Sequence, residues 1–489
     1  MRLSLTVLFS LLPAILATPL KRAGGIAPLN VAGETIPDSY IVVFKKGVSV
    51  DQISLHLDNV AVWQNAAPLQ GVEDGLTHVY ADKIDNFDFT GYSGRFSAEA
   101  LEAIREAPEV AYVEHDQIVR TQDDIKGVDS FGDDIETEKD APWGLARISH
   151  RDTLRLGTFN KYVFDSHGGE GVTAYVIDTG VYIQHPEFEG RARWGATIPS
   201  GDPDEDGNGH GTHCAGTIGS AKYGVAKAAE IVAVKVLRSN GSGSMSDVLK
   251  GVVWAAKDAE KAKKSGGSKH KGSVANMSLG GGKSQSLDDA VDSAVESGLH
   301  FAVAAGNDNR DACTFSPAAS KLAVTVGAST IRDERAYFSN HGKCVDIFAP
   351  GLDIKSTWNG VPPVNTISGT SMASPHIAGL LAYLISIEGS ETFSILEGQQ
   401  ELVAVEQDAS AYSQAYDLLP ELLQAVLPAP EDAVVELTRG KRELTPERLK
   451  KALIALASPG ILSDAAGRPL PAGSPNLLAF NNATTSARR

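Results

Sequence analysis

The 489-residue sequence is poor in positive charge: 44 lysines and arginines face 61 aspartates and glutamates, a formal net charge of −17. Nucleic acid and anionic membrane both require clustered basic surface, so neither is expected as a partner. Long apolar runs are scarce as well. After the first 17 residues no stretch approaches the ~18 apolar residues of a membrane-crossing helix, and no membrane span is expected. Cysteine is limited to Cys214, Cys313 and Cys344, so one thiol at least stays outside any intrachain bridge. From Glu388 to Glu436 there are eleven acidic residues and no lysine or arginine.

What is present is ordinary for a globular chain, 42% hydrophobic and 21% charged, with length for two or three domains. Residues 1–17 carry Arg2, an apolar stretch to Leu16 and a small terminal residue, the pattern of a secretory signal peptide. The secretory pathway is therefore the expected route. Lys21-Arg22 reads equally as a dibasic processing site or a solvated pair. Residues 38–121 alternate as strand (40–44), helix (50–60), strands (77–80 and 92–97), helix (98–106) and strand (110–114). That βαββαβ order predicts a small α+β ferredoxin-like unit. Residues 122–140 are acidic, glycine-bearing and poor in apolar side chains, an exposed linker. From 141 to 482 strands near 172–178, 231–237, 274–278, 301–307 and 322–326 alternate with helices near 247–261, 287–297 and 446–457. The predicted fold class is α/β, a mostly parallel sheet with helices on both faces.

Three segments point to chemistry. Gly369-Thr370-Ser371-Met372-Ala373-Ser374-Pro375-His376 precedes an apolar helical run, a tight turn presenting a hydroxyl at a helix N-terminus. Alone, Ser371 reads as a helix cap. A strand delivers Asp178 to its carboxyl end, and Gly209-His210-Gly211-Thr212-His213 enters a second helix from a glycine-rich turn. A serine hydroxyl becomes a nucleophile only beside a base that a third group orients. Asp178, His210 and Ser371 occur in one of the chain orders in which such triads are found. Asn307, ending another strand, supplies an amide suited to an oxyanion.

These segments, with Asn276-Met277-Ser278-Leu279-Gly280-Gly281, resemble the subtilisin-type serine proteases of the proteinase K subfamily, especially the fungal vacuolar members. The resemblance implies a subtilisin-like fold and catalysis by Asp178, His210 and Ser371, with Asn307 in the oxyanion hole. It implies that residues 38–121 are an inhibitory propeptide, so that the chain's own propeptide is an intramolecular partner beside protein and peptide substrates. Cleavage is expected between Asp133 and Ala141. Ser278, Leu279, Gly280, Gly281, Ala304, Ala305 and Gly306 would wall the specificity pocket, and Gly241, Ser242 and Gly243 would add a backbone edge to a bound strand. No acidic residue lies in these walls, so apolar or aromatic residues are expected before the cleaved bond. The expectation is a monomer in the vacuole lumen, with secretion as the alternative.

In a secretory setting Cys313 and Cys344 are expected to pair. Cys214, one helical turn after His210, would sit beneath its imidazole. No cofactor is required by the chemistry. By resemblance Asp346, with carbonyls near Lys321 and Ala323, would hold calcium, whereas the acidic run 202–207 reads as a solvated turn. Asn482 and Asn240 are candidate glycosylation sites, and the sequon at Asn276 falls in the core. Residues 388–443 depart from the family pattern as an acidic insertion with a short helix near 416–426, and 483–489 form a disordered tail.

Overall fold

The computed structural model describes residues 25–69, 74–122, 137–390, 393, 395, 444–464 and 467–483, and the chain falls into two units. In the first, β1 (Thr35–Phe44), α1 (Val50–Ala66), β2 (Gly75–Tyr80), β3 (Gly91–Arg95), α2 (Ala98–Glu106) and β4 (Val110–Thr121) follow the expected βαββαβ order. Both helices start where serine satisfies free backbone N–H groups. Ser49 and Gln52 form a reciprocal capping box, and Ser97 accepts from the N–H of Ala100. The strands lie in the order β4-β1-β3-β2. Tyr40, Val42 and Phe44 alternate inward against Ile53, Val60, Leu101 and Ile104. β4 outruns the expected 110–114; its residues 116–121 belong to the second unit, where they find hydrogen-bond partners.

The second unit is built on β5 (Val172–Asp178), β6 (Ala192–Thr197), α3 (His210–Gly219), β7 (Glu230–Lys235), β8 (Ser242–Ser244), α4 (Met245–Ser265), β9 (Gly272–Met277), β10 (Leu279–Gly282), α5 (Gln285–Glu296), β11 (His300–Ala304), β12 (Val324–Ser329), β13 (Ile347–Pro350), α6 (Thr370–Ile387), α7 (Pro446–Leu456) and β14 (Leu477–Leu478). One sheet runs β14-β13-β12-β11-β9-β5-β7-β6 with these eight strands parallel, and Ser458–Pro459 adds a short antiparallel edge beside β14. Every residue of β5 is buried, as a strand covered on both faces must be. Side chains alternate between those faces. Tyr175 contacts Trp254 and Asp258 of α4, whereas Ala174 and Val176 share a core with Cys214 and Ile218 of α3 and Ile377 and Leu380 of α6. By the same parity Asp178 turns toward the face on which α3 and α6 begin.

Several expectations change. α6 has 18 residues with mean hydropathy 1.3, so one stretch is long and apolar enough to cross a membrane; it is wholly buried in the core. α4 continues to Ser265, past the expected end near 261, which places Lys263 and Lys264 in its last turn. The linker ends sooner than 140, because Thr137–Lys139 pairs antiparallel with Lys161–Val163 and Glu138 meets Lys227 Nζ at 2.9 Å. The signal peptide at 1–17, linker residues 123–136, the insertion from 396 to 443 with its helix at 416–426, and tail residues 484–489 lie outside the described residues.

Candidate active site

Parallel sheets gather functional groups at the carboxyl ends of their strands, and here β5 ends on Asp178. Its Oδ1 accepts from His210 Nδ1 at 2.7 Å and from the Thr179 N–H at 2.7 Å, with both side chains of the Asp178–His210 pair fully buried. His210 opens α3, and the turn before it is organised by Asp206. Oδ1 of Asp206 accepts from Thr179 Oγ1 (2.9 Å) and the Gly209 N–H (2.9 Å), while Oδ2 accepts from the Thr212 N–H (3.0 Å) and Oγ1 (2.6 Å). Gly211 lets this turn close on β5, since a Cβ there would lie 2.0 Å from the Gly180 carbonyl oxygen. The expectation of a solvated turn at 202–207 holds at the exposed residues 203–205 and 207 and is corrected at Asp206 alone. Asp206 is buried because its carboxylate replaces water as acceptor for the start of α3.

Burial, the largest influence on His210, disfavours its imidazolium, yet the adjacent Asp178 carboxylate and the bonds at Nδ1 carry its pKa well above the usual value. Cys214 lies below the ring with Sγ 4.0 Å from Nδ1, as one helical turn dictates, and burial raises its thiol pKa. His210 Nε2 has no hydrogen-bond partner among the described residues.

Ser371 sits in the first turn of α6 for a reason written four residues on. Pro375 has no N–H, so the carbonyl of Ser371 loses its helical donor. That oxygen accepts instead from Ser278 Oγ at 2.8 Å and Cys214 Sγ at 3.4 Å, tying the turn to the residue that follows β9 and to α3. Ser371 Oγ donates to the Ser278 carbonyl at 3.0 Å. Beside it, Asn307 Oδ1 accepts from the Thr370 N–H (3.0 Å) and Oγ1 (2.8 Å), which leaves Nδ2 buried and unpartnered. Gly306 makes the turn at φ +103°, where a Cβ would meet Asn340 Nδ2 at 2.3 Å.

Residues 116–122 run through this site. Ile118, Val119 and Arg120 pair antiparallel with Ser244, Gly243 and Ser242; on the other side Arg120 and Thr121 pair with Gly280 and Leu279. The Thr121 N–H donates to the Gly241 carbonyl at 3.1 Å and the Gln122 N–H to the Ser278 carbonyl at 3.4 Å. The Gln122 carbonyl then receives the Ser371 N–H at 3.3 Å. The edge expected at 241–243 and residues 278–280 of the expected pocket wall therefore both bond to one strand. Ala304, Ala305 and Gly306 make no hydrogen bond to it; Asn340 takes the Ala305 carbonyl and Thr370 Oγ1 the Gly306 N–H.

Residues 169–405 match the subtilase family, and residues 39–122 match the peptidase inhibitor I9 family. Subtilisin-like serine protease Pen ch 18 of Penicillium rubens is 50% identical over 469 residues, 92% of this chain and 82% of its own. The chain belongs to the subtilase family. Alkaline protease 2 of Aspergillus fumigatus is 49% identical over 485 residues, 94% of this chain and 85% of its own. A cold-adapted subtilisin-like serine proteinase of known structure shares 40% identity at a TM-score of 0.52, covering 70% of this chain and 99% of its own. The subtilase is accordingly a serine endopeptidase with an I9 domain before its peptidase domain.

Elsewhere in the subtilase, Cys313 and Cys344 form a disulfide with Cα atoms 5.3 Å apart, and Cys214 remains a free thiol. Asn240 is exposed, with Oδ1 accepting from the Ser242 N–H and hydroxyl, and Asn482 is half-buried at φ +60°. Asn276 is buried and donates to Ser278 Oγ. The calcium expected at Asp346 does not fit this chain, because a lysine side chain occupies the position: Lys450 Nζ lies 2.8 Å from Asp346 Oδ2 and 2.6 Å from the Ala323 carbonyl. Gln122, Thr370, Asp206 and Lys450 were all missed as site residues in the sequence. Only Asp206 left a signal there, within the run 202–207.

Proposed function

We propose that this subtilase is a zymogen that cuts its own chain between Gln122 and Asp123 and then hydrolyses peptide bonds broadly, with Asp178, His210 and Ser371 as catalytic residues. One observation carries the reading. A carbonyl carbon, that of Gln122, is presented at Ser371 by an antiparallel strand, with its oxygen on the Ser371 N–H. Strand addition of this kind binds through the backbone and accepts many sequences. The pairing of residues 137–139 with 161–163 supports this bond over the one expected between Asp133 and Ala141.

For attack, Ser371 Oγ exchanges its bond to the Ser278 carbonyl for one to the free Nε2 of His210 by rotation about χ1. His210 takes the hydroxyl proton as Oγ bonds to the carbonyl carbon. The tetrahedral oxyanion is held by the Ser371 N–H and Asn307 Nδ2, and Asp178 keeps the imidazole tautomer and stabilises the imidazolium. Collapse breaks the C–N bond, the amine leaving with the proton from His210. Water then repeats the sequence on the acyl-enzyme. The amide of Gln122 donates to the Gly280 carbonyl at 3.5 Å, and with no acid in the predicted walls this supports a preference for uncharged residues before the cleaved bond, apolar and aromatic ones included. The Cys313–Cys344 bridge supports a secretory compartment, and resemblance alone favours the vacuole over the exterior.

The test is an intact-mass time course on the full chain beside its Ser371→Ala variant, with a general peptide substrate present. The expected result is a product beginning at Asp123 together with peptidase activity, in the wild type only. Both chains remaining whole and inactive would favour a silent, propeptide-held scaffold. Cleavage elsewhere with activity intact would refute the assigned bond while sparing the triad.

A further inference from the structure

We propose that the ammonium of Lys450 is a built-in cation that takes the place of a metal ion, joining α7 to the body of the sheet without calcium. The Nζ atom is surrounded by three oxygens, Asp346 Oδ2 at 2.8 Å, the Ala323 carbonyl at 2.6 Å and the Lys321 carbonyl at 3.4 Å. An ammonium has three N–H bonds, so three acceptors satisfy it. Calcium requires six to eight oxygens at about 2.3–2.6 Å. Among the described residues Nζ itself fills the space between these three oxygens, and Asp346 Oδ2 already accepts the Thr325 N–H at 2.9 Å.

The acceptors are held in place by bonds that do not involve the lysine. Asp292 Oδ1 takes the N–H groups of Lys321 (3.1 Å) and Leu322 (3.0 Å) and the hydroxyl of Ser320 (2.6 Å). Ser320 Oγ in turn accepts the Ala323 N–H at 3.2 Å, so the peptide planes of 320–323 are held in orientation. The lysine is delivered by the packing of α7, whose Leu449 and Leu453 are one turn apart and fully buried. Its neighbour Lys451 has a side chain 74% exposed, against 17% for Lys450, so the ordered position belongs to Lys450 alone. The cation thus clasps the approach to β12, the start of β13 and α7, three segments far apart in the sequence.

The experiment uses the full chain with Ser371→Ala to prevent self-cleavage, and reads thermal unfolding in EDTA and in millimolar calcium. Any change in Tm with calcium is expected to be the same with Asp346 intact and with Asp346→Asn. Lys450→Met is expected to lower Tm by several degrees, Asp346→Asn to do likewise, and the double variant to lose less than the two combined. If Lys450→Met does not fold, Lys450→Gln, which keeps two donors without the charge, takes its place. The proposal is overturned if calcium raises Tm only when Asp346 is intact, or if removing the ammonium leaves Tm unchanged. Neither reading depends on catalysis or on the processing bond.

Discussion

Replacing Asn307 tests the oxyanion geometry most directly. The amide is held by its oxygen, through the N–H and hydroxyl of Thr370, and its Nδ2 is left without a partner beside Ser371. Asn307→Ala deletes a donor that matters only once the carbonyl oxygen becomes an oxyanion. In the subtilisin type case, losing one such donor lowers kcat by about 10²- to 10³-fold, about 2.7 to 4 kcal/mol. Thr370→Val removes one of the two bonds that aim the amide and deprives the Gly306 N–H of its acceptor. A neutral hydrogen bond is worth about 1 kcal/mol, so a loss of roughly 5- to 30-fold is expected, well short of that for Asn307→Ala. The assay is the first-order rate at which the full chain cuts itself, followed by mass, because that rate needs no added substrate. If Asn307→Ala processed within threefold of wild type, or Thr370→Val fell as far as Asn307→Ala, the assigned orientation would be wrong.

Three further predictions concern the Asp178–His210 pair and the disulfide. His210 must be neutral to take a proton, and Asp178 raises its pKa against the opposing effect of burial, so the acid limb of kcat/KM in the processed enzyme should have its midpoint above about 6.5; Asp178→Asn should lower kcat by about 10⁴-fold, and a wild-type profile flat from pH 5 to 9 would refute His210 as base. By linkage the pair stabilises the fold fully below the unfolded histidine pKa and loses that contribution as pH rises through the raised folded value. Cys313→Ala with Cys344→Ala opens a loop whose ends are 31 residues apart. Denaturant unfolding of the Ser371→Ala chain should show about 3 to 4 kcal/mol less stability, and an unchanged midpoint would mean the bridge constrains nothing.

The side chains of the site were legible because chemistry restricts them to few residue types in local settings. A strand ending on aspartate, a glycine turn into histidine and a small-residue turn into serine each announce themselves within ten residues. The βαββαβ order and the alternating sheet were readable from periodicity for the same reason. Gln122 was not legible, since nothing in Arg120-Thr121-Gln122-Asp123 marks it. Its place follows from the register of residues 118–121 with strands more than a hundred residues away. Asp206 was read as solvated because an acidic run usually is, and the hydrogen bonds its carboxylate accepts from Thr179, Asn208, Gly209 and Thr212 exist only once the turn has closed. Pro375 was plainly present, but that it frees the Ser371 carbonyl for Ser278 and Cys214 required the neighbours to be placed.

Sequence alone determined the residue types of the site and the alternation of strands and helices, which rest on local propensity and the chemistry of a few side chains. Tertiary structure decided which backbone lies in the cleft, which way the Asn307 amide points, and that a lysine rather than a metal neutralises Asp346. These depend on register and on the direction of carbonyl groups across distant segments. No local pattern encodes them, because each is set by the packing of elements that meet only in the folded chain.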